Sequence, residues 1–396
     1  HTVLYSTVPK PHFADMEWQM LGDSQYHKWS VYKMSWSLDI RTCKFMCGAP
    51  NGGPLAVLEG ANGKCADGNG AIYIYTSSGD QMTRIPLGSV VVGLGWTEKE
   101  HLLIVHEHGS ALLHDMFGHL LHSFLLLNVA HLENRISSVV FWDVGVVALT
   151  NSMQLQACDD VTKQEPVVYA MESGLSGLRP ATSMAVLPPR FTSSGLLEVM
   201  LGTSDCSVVV VDVNGAEDQL LHGRFHAPIV CLAVAPNGRF IACYTASGVL
   251  TVMSTSFTTK VLDFDTATME TPTQMQWCGE DSVIMHWRHY ILMIGPYGHW
   301  IKFPYSVQKF VLPEVDSCRI VTLETCEVLQ RVPTYVETIH RIGSTDFAAM
   351  LYDAMEAFED GDPKADENVR SILSHDQITS AIQTILLAAT ADFNPK

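Results

Sequence analysis

A recurrence of apolar runs constrains this chain more than any other feature. The runs open at Cys43 (CKFMCGAP), Val90 (VVVGLGW), Ile136 (ISSVVFW), Thr182 (TSMAVLP), Ile229 (IVCLAVAP) and Thr273 (TQMQWCG), at spacings of 47, 46, 46, 47 and 44 residues. Each opens a set of short strands divided by tight polar turns. In the clearest set the strands fall at 90–96, 101–106, 111–115 and 119–124, with Gly109 and Gly118 in two of the turns. Val90, Val92, Leu94 and Trp96 point one way while Val91, Gly93 and Gly95 point the other, so the first strand is apolar on both faces. A sheet wetted on one side would alternate more cleanly. Four-stranded units of this period whose neighbours cover both faces are the pattern of a β-propeller.

The same grammar returns at 229–264, where an Asn237-Gly238 pair predicts a type I′ hairpin turn. A ring must seal its open edges, commonly with a strand from the other terminus. Strands at 307–312, 318–322 and 328–332, completed by one at 31–37, give a seventh blade. Residues 1–30 read as irregular, with a turn at Gly22-Asp23-Ser24, and 62–69 as a surface loop. The blade boundaries between Ala157 and Gly202 are left open. The expected fold is mainly β: a seven-bladed propeller over 31–335, followed over 336–396 by the first helices of an α-solenoid.

In that last segment the period changes from two to about 3.6. Phe347, Met350, Leu351, Ala354 and Phe358 form one stripe behind a Ser344/Thr345 cap. Past a break at Gly361-Asp362-Pro363 come helices at 364–373 and 377–389, the latter with Ile378, Ile382, Ile385, Leu386 and Ala389 on its face.

Composition narrows the function. A formal charge of −18, with only 24 Lys and Arg, opposes binding to a phosphate backbone or to anionic lipid and leaves proteins as the expected partners. No uninterrupted apolar run reaches the roughly 18 residues that a spanning helix needs. The ten cysteines contain no C-x-x-C pair, and the N-terminus does not resemble a signal peptide. With no Asn-x-Ser/Thr sequon present, the expectation is a cytoplasmic chain with buried, reduced thiols.

No catalytic constellation emerges. His106-Glu107-His108, with His101, His114, His119 and His122 nearby, lacks the helical spacing of a zinc motif, and the expectation is solvent-exposed turn histidines. Gly88, Gly93 and Gly95 lie in a strand, not before a helix that could cradle phosphate. Ser176 misses the nucleophile-elbow pattern by one residue. Asp159-Asp160 and the run Glu356, Glu359, Asp360 and Asp362 read as solvated acids. Tyr297, Trp300 and Tyr305 are weighed as partner anchors against packing within a blade, and packing is preferred. Accordingly no catalytic, cofactor-binding or metal-ligating residue is assigned, and partner-binding residues are left unassigned.

Several motifs carry a family resemblance. Glu17-Trp18, Leu21-Gly22-Asp23-Ser24, Tyr26, Val31-Tyr32, Met34, Trp36 and the run Ala49-Pro50-Asn51-Gly52-Gly53-Pro54-Leu55-Ala56 resemble the opening of the subunit-sixteen family of class C vacuolar protein sorting proteins. Leu94-Gly95-Trp96-Thr97, Gln276-Trp277-Cys278, Leu312-Pro313-Glu314-Val315-Asp316 and Lys364-Ala365-Asp366-Glu367 extend the likeness along the chain. The resemblance implies a non-catalytic core subunit shared by the HOPS and CORVET tethering complexes, peripheral on late endosome, lysosome or vacuole membranes. It also implies a Sec/Munc-type partner held by a solenoid region beyond Lys396. The alternatives are a vesicle-coat or transport-train subunit of like architecture and, further off, a propeller enzyme.

Overall fold

Seven antiparallel sheets succeed one another in the order that the recurrence sets. The computed structural model describes residues 18–43, 45–60, 70–127, 134–221, 223–372 and 375–392. The loop expected at 62–69, Cys65 and the N-terminal residues through Glu17 lie outside them.

The chain enters through a hairpin, β1 (Trp18–Leu21) and β2 (Ser24–Lys33). Blade 1 comprises β3 (Phe45–Gly48), β4 (Leu55–Leu58), β5 (Ala71–Tyr75) and β6 (Gln81–Pro86). Blade 2 comprises β7 (Val91–Trp96), β8 (Leu102–His106), β9 (Ser110–His114) and β10 (Leu120–Leu125). Blade 3 follows with β11 (Ile136–Trp142), β12 (Gly145–Thr150), β13 (Gln154–Cys158) and β14 (Tyr169–Glu172). Blade 4 holds β15 (Ala181–Leu187), β16 (Glu198–Thr203), β17 (Val208–Asp212) and β18 (Gly215–Asp218). Blade 5 holds β19 (Ile229–Val234), β20 (Phe240–Thr245), β21 (Val249–Ser254) and β22 (Lys260–Asp265). Blade 6 holds β23 (Gln274–Cys278), β24 (Ser282–Trp287), β25 (Tyr290–Ile294) and β26 (Trp300–Pro304). The last sheet joins β27 (Lys309–Pro313), β28 (Ser317–Thr322) and β29 (Thr325–Arg331) to β2 and then β1.

The first strands close a circle: β3 packs on β7, β7 on β11, β11 on β15, β15 on β19, β19 on β23, β23 on β27, and β27 again on β3. Second and third strands are buried almost throughout, with β4, β8, β12 and β24 buried at every position. That is the burial expected of sheets covered on both faces.

The glycines of β7 show how closely adjacent sheets approach. A Cβ on Gly95 would lie 2.4 Å from the Phe141 ring of β11, and one on Gly93 3.0 Å from Val139. These glycines are therefore spaces for blade 3 side chains.

Three local expectations are corrected. The closing strand is β2 at Ser24–Lys33 and not 31–37, and β1 also falls in the segment expected to be irregular. Met34 to Trp36 leave the sheet because the Trp36 ring turns inward, meeting Tyr75 edge-on at 4.9 Å and donating from Nε1 to Thr322 O at 3.1 Å. The Asn237-Gly238 turn is not type I′: only Gly238 has positive φ, and its N–H returns to Ala235 O at 2.8 Å.

The structure divides into two compact units, residues 30–329 and a second containing 1–29 with 330–396. The second holds α1 (Thr334–His340), α2 (Phe347–Glu359), α3 (Lys364–Ser371) and α4 (His375–Asp392). Sequence periodicity missed α1, which spans only seven residues behind Pro333. The cap of α2 is Asp346, whose carboxylate accepts from Ala348 N at 2.8 Å, and not Ser344 or Thr345. Val336, Ile339, Ala348, Ala381 and Ala388 form this unit's core with Phe347, Leu351 and Ile385. Phe358, Ile382 and Leu386, expected on the buried stripes, are exposed. Small alanines, not the larger residues, therefore mark the close helix contacts.

Candidate interaction surface

On one face of the ring the turns between first and second strands surround a cavity of about 550 Å³. Its walls come from the first strands of blades 3 to 6: Phe141 and Trp142, Met184 and Val186, Leu232 and Val234, and Trp277, with Pro188, Phe191 and Pro236 at the turns. Arg190 supplies its cation, held 2.8 Å from Asp143 and 3.8 Å from Glu98. The cavity thus presents one mixed-charge cluster on a largely apolar wall.

The indoles that end first strands tie adjacent blades. Trp96 Nε1 donates to Cys47 O of the preceding blade at 3.3 Å, and Trp277 Nε1 to Ala233 O at 2.9 Å. Both bonds join the first strands of neighbouring blades.

Where blade 7 meets blade 1, two of the sequence motifs come together. Arg319, 3% exposed, donates from Nη1 to Gly53 O at 2.8 Å and from Nη2 to Ala49 O at 3.0 Å. Its Nε lies 2.5 Å from Glu314 Oε1, and Glu314 Oε2 accepts from Gly52 N at 3.1 Å. The Asn51-Gly52-Gly53 turn is thereby fixed to the Glu314-Val315-Asp316 turn across 262 residues of sequence. Motif reading identified both turns but not Arg319, which has no motif of its own.

A second buried cation stands between blades 6 and 7. Lys309, 2% exposed, donates to Trp287 O at 2.7 Å and Arg288 O at 3.0 Å. Burial lowers its pKa to about 8. Nearby His286 is lowered to about 4, first by burial and then by the charge of Lys309, while its Nε2 contacts Gln274 Oε1 at 3.0 Å. Neither residue stood out in the sequence, because each occupies an ordinary strand position.

Two of the blade 2 histidines depart from expectation, while His108 and His119 are exposed in turns as expected. His106 and His114 are buried at the ends of β8 and β9 and are not exposed turn residues. Burial holds both below the ordinary imidazole value. Ser89 Oγ lies 2.9 Å from His106 Nδ1, His122 Nε2 lies 2.8 Å from Val161 O, and His119 pairs with Asp115 at 2.9 Å. Their partners separate them, and among the described residues no group of three or more His, Cys, Asp or Glu is placed to hold a metal ion.

The remaining candidates are dispersed. Ser176 sits in an isolated bridge to Arg179. Asp159 accepts from Tyr169 Oη and Asp160 from the Thr162 hydroxyl, both at 2.7 Å. Glu356, Glu359, Asp360 and Asp362 belong to α2 and the turn after it. Tyr297 is 87% exposed at a positive φ of 62°, and Trp300 is also exposed, so neither packs within its blade. Tyr305 is half-buried and donates to Glu327. Among the described residues all nine cysteines are free thiols. Burial raises Cys43, Cys158, Cys231 and Cys326 to about 11 and Cys47 to about 12, leaving them poor nucleophiles at neutral pH.

The sheets and helices define a seven-bladed propeller followed by helices. Crystallised propellers share the fold at low identity: the structure of BBS1N in complex with ARL6DN aligns with a TM-score of 0.54 at 10% identity, covering 76% of this chain and 96% of that one. A family profile described as Vps16, N-terminal region, matches residues 14–396, and the chain belongs to that family. It is 30% identical to Protein VACUOLELESS1 of Arabidopsis thaliana and 30% identical to the vacuolar protein sorting-associated protein 16 homolog of Dictyostelium discoideum, over 96% of its own length in each case. It spans 46% of the length of those two relatives.

Proposed function

We propose that this chain is the propeller-bearing part of a non-catalytic scaffold subunit in an endolysosomal membrane-tethering complex, of the HOPS and CORVET kind. The observation that carries the reading is the family match across residues 14–396, with relatives named for vacuolar protein sorting. The ring supplies loop surfaces for other subunits, among them the cavity mouth with Arg190 and the exposed Tyr297 and Trp300. The helices after Val332 begin the solenoid that, further along the full protein, holds a Sec/Munc-type subunit and so supports SNARE-mediated fusion. Many weak contacts on one scaffold give strong tethering through effective concentration. On this reading membrane association is peripheral and runs through partners; among the described residues no helix is long and apolar enough to cross a bilayer.

Affinity purification of the full-length protein, followed by mass spectrometry, tests this. A Sec/Munc-type protein and further propeller–solenoid subunits are expected in stoichiometric amounts on late endosomal, lysosomal or vacuolar membranes. Recovery of a coat or transport-train assembly instead would replace the reading.

A further inference from the structure

Six blades end on an outer strand, and one of these strands carries neither charge nor proline. A strand at the edge of a sheet presents a row of backbone donors and acceptors, which natural proteins guard with charge or proline. Arg84 guards β6, Glu172 β14, Asp218 β18, Asp263 β22 and Lys302 β26. In contrast β10 reads Leu-Leu-His-Ser-Phe-Leu, with neither formal charge nor proline. Leu121 and Leu125 are 45% and 51% exposed, and Phe117 in the preceding turn 58%. After the register shift between Leu120 and His122, residues 122–125 pair regularly with β9. Among the described residues no strand pairs with the outer side of β10.

We propose that β10 is a docking edge on which an extended segment of another protein, apolar at alternate positions and flanked by basic residues, pairs as a fifth strand of blade 2. Only extended backbone satisfies a row of edge groups, so main-chain bonding selects a strand while Leu121 and Leu125 select apolar side chains. Charge selects the flanks. The His122 bond to Val161 places the Asp159-Asp160 loop beside β10; Lys163 and Lys99 offset those two acids, so the attraction rests on the −18 that the chain carries overall. A second copy would bring the same negative charge to the edge, whereas a basic segment is attracted.

Amide hydrogen exchange on the full-length protein tests this, with a blocked peptide of alternating threonine and valine bearing a lysine at each end as the probe. At about 1 mM probe and a Kd of about 0.1 mM, exchange in residues 120–125 slows roughly tenfold. A proline at the centre of the probe, or Leu121→Lys with Leu125→Lys in the protein, removes the effect. Both leucines are exposed, so the variant keeps the wild-type melting temperature; Leu125→Lys alone serves if the pair does not. No slowing, or slowing at another outer strand, overturns the proposal. Equal binding of a glutamate-flanked probe overturns the basic partner. A probe-free dimer in sedimentation, abolished by Leu125→Lys, overturns it in favour of a second copy.

Discussion

Blade 5 and blade 7 reach the four-strand pattern by opposite routes, blade 7 carrying β1 as a fifth strand. Blade 5 is one continuous stretch, Ile229 to Asp265, and its seam with blade 6 is apolar: Tyr244, Leu250, Trp277, Met285 and Trp287 share one buried cluster. Blade 7 takes β27, β28 and β29 from one end of the propeller sequence and β2 from the other. Its seams bury Arg319 with Glu314 on one side and Lys309 on the other. Hairpin strands find their register through their turns. A closing strand has no hairpin to β29, and apolar contact alone tolerates sliding. Directional bonds from Val332 N to Gln25 O at 2.8 Å and from Met34 N to Glu324 O at 2.9 Å supply what the turn supplies elsewhere, while those from Arg319 to Ala49 and Gly53 fix blade 7 against blade 1. We read the buried charges as devices for register more than for net stability, which buried ion pairs seldom raise over apolar replacements.

Deleting residues 1–33 sharpens this contrast most. It removes β2 from the seventh sheet, and the melting temperature is expected to fall by tens of degrees or folding to fail, as thermal unfolding followed by circular dichroism will show. A nicked blade 5 loop at Ala246-Ser247-Gly248 is expected to do far less, because all its strands remain.

Arg319→Ala should cost about 3–5 kcal/mol in denaturant unfolding, since it leaves Glu314 buried without its cation. Arg319→Met with Glu314→Leu should recover most of that loss. If the double variant is as unstable as the single one, the ion pair contributes net stability and the contrast between the seams is broken. Trp287→Ala in the apolar seam should also cost about 3–5 kcal/mol, with no partner change that restores it.

Gly48→Ala should cost less, about 1–3 kcal/mol, because a Cβ there would lie 2.3 Å from Arg319 Nη2 and displace a bonded guanidinium. In the Arg319→Met background the same substitution should be nearly neutral, which a double-mutant cycle measures.

A further test of the charged seam is one of pH. Lys309 sits at about 8 in the folded protein against its ordinary 10.5, so the unfolded chain binds more protons between those values. Stability therefore rises from pH 8 toward 10.5 as the burial cost of the charge is relieved, and Lys309→Met should flatten that rise. His286, lowered to about 4, works in the same direction at lower pH: stability falls as pH drops from 6.5 toward 4. An unchanged slope in His286→Gln would assign the acid limb to His106 and His114.

The blades were legible because their signal is local. Every first strand begins within two residues of the onset that the recurrence gave, and the Gly109, Gly118 and Gly248 turns all carry positive φ. The hairpin period and the turn glycines act over a few residues, so a sequence displays them directly. The closing strand was misplaced because 24–33 and 31–37 both alternate, and only pairing with β29 chooses between them. Tyr297 and Trp300 looked like core residues for a related reason: aromatic residues in a strand pattern do not announce which face is covered.

The amino-acid order by itself determined the number of blades, the sheet pattern within each and the change to helices after the ring, since periodicity and turn chemistry are properties of neighbouring residues. Tertiary structure alone decided which polar groups are buried. Arg319 meets Ala49 and Gly53 only because the circle closes, and His106, His114 and Lys309 lose water only because adjacent sheets cover them. Solvation of a charged or titratable group depends on what lies a few ångströms away in space, and in a ring that is a strand some 50 or 270 residues distant in sequence.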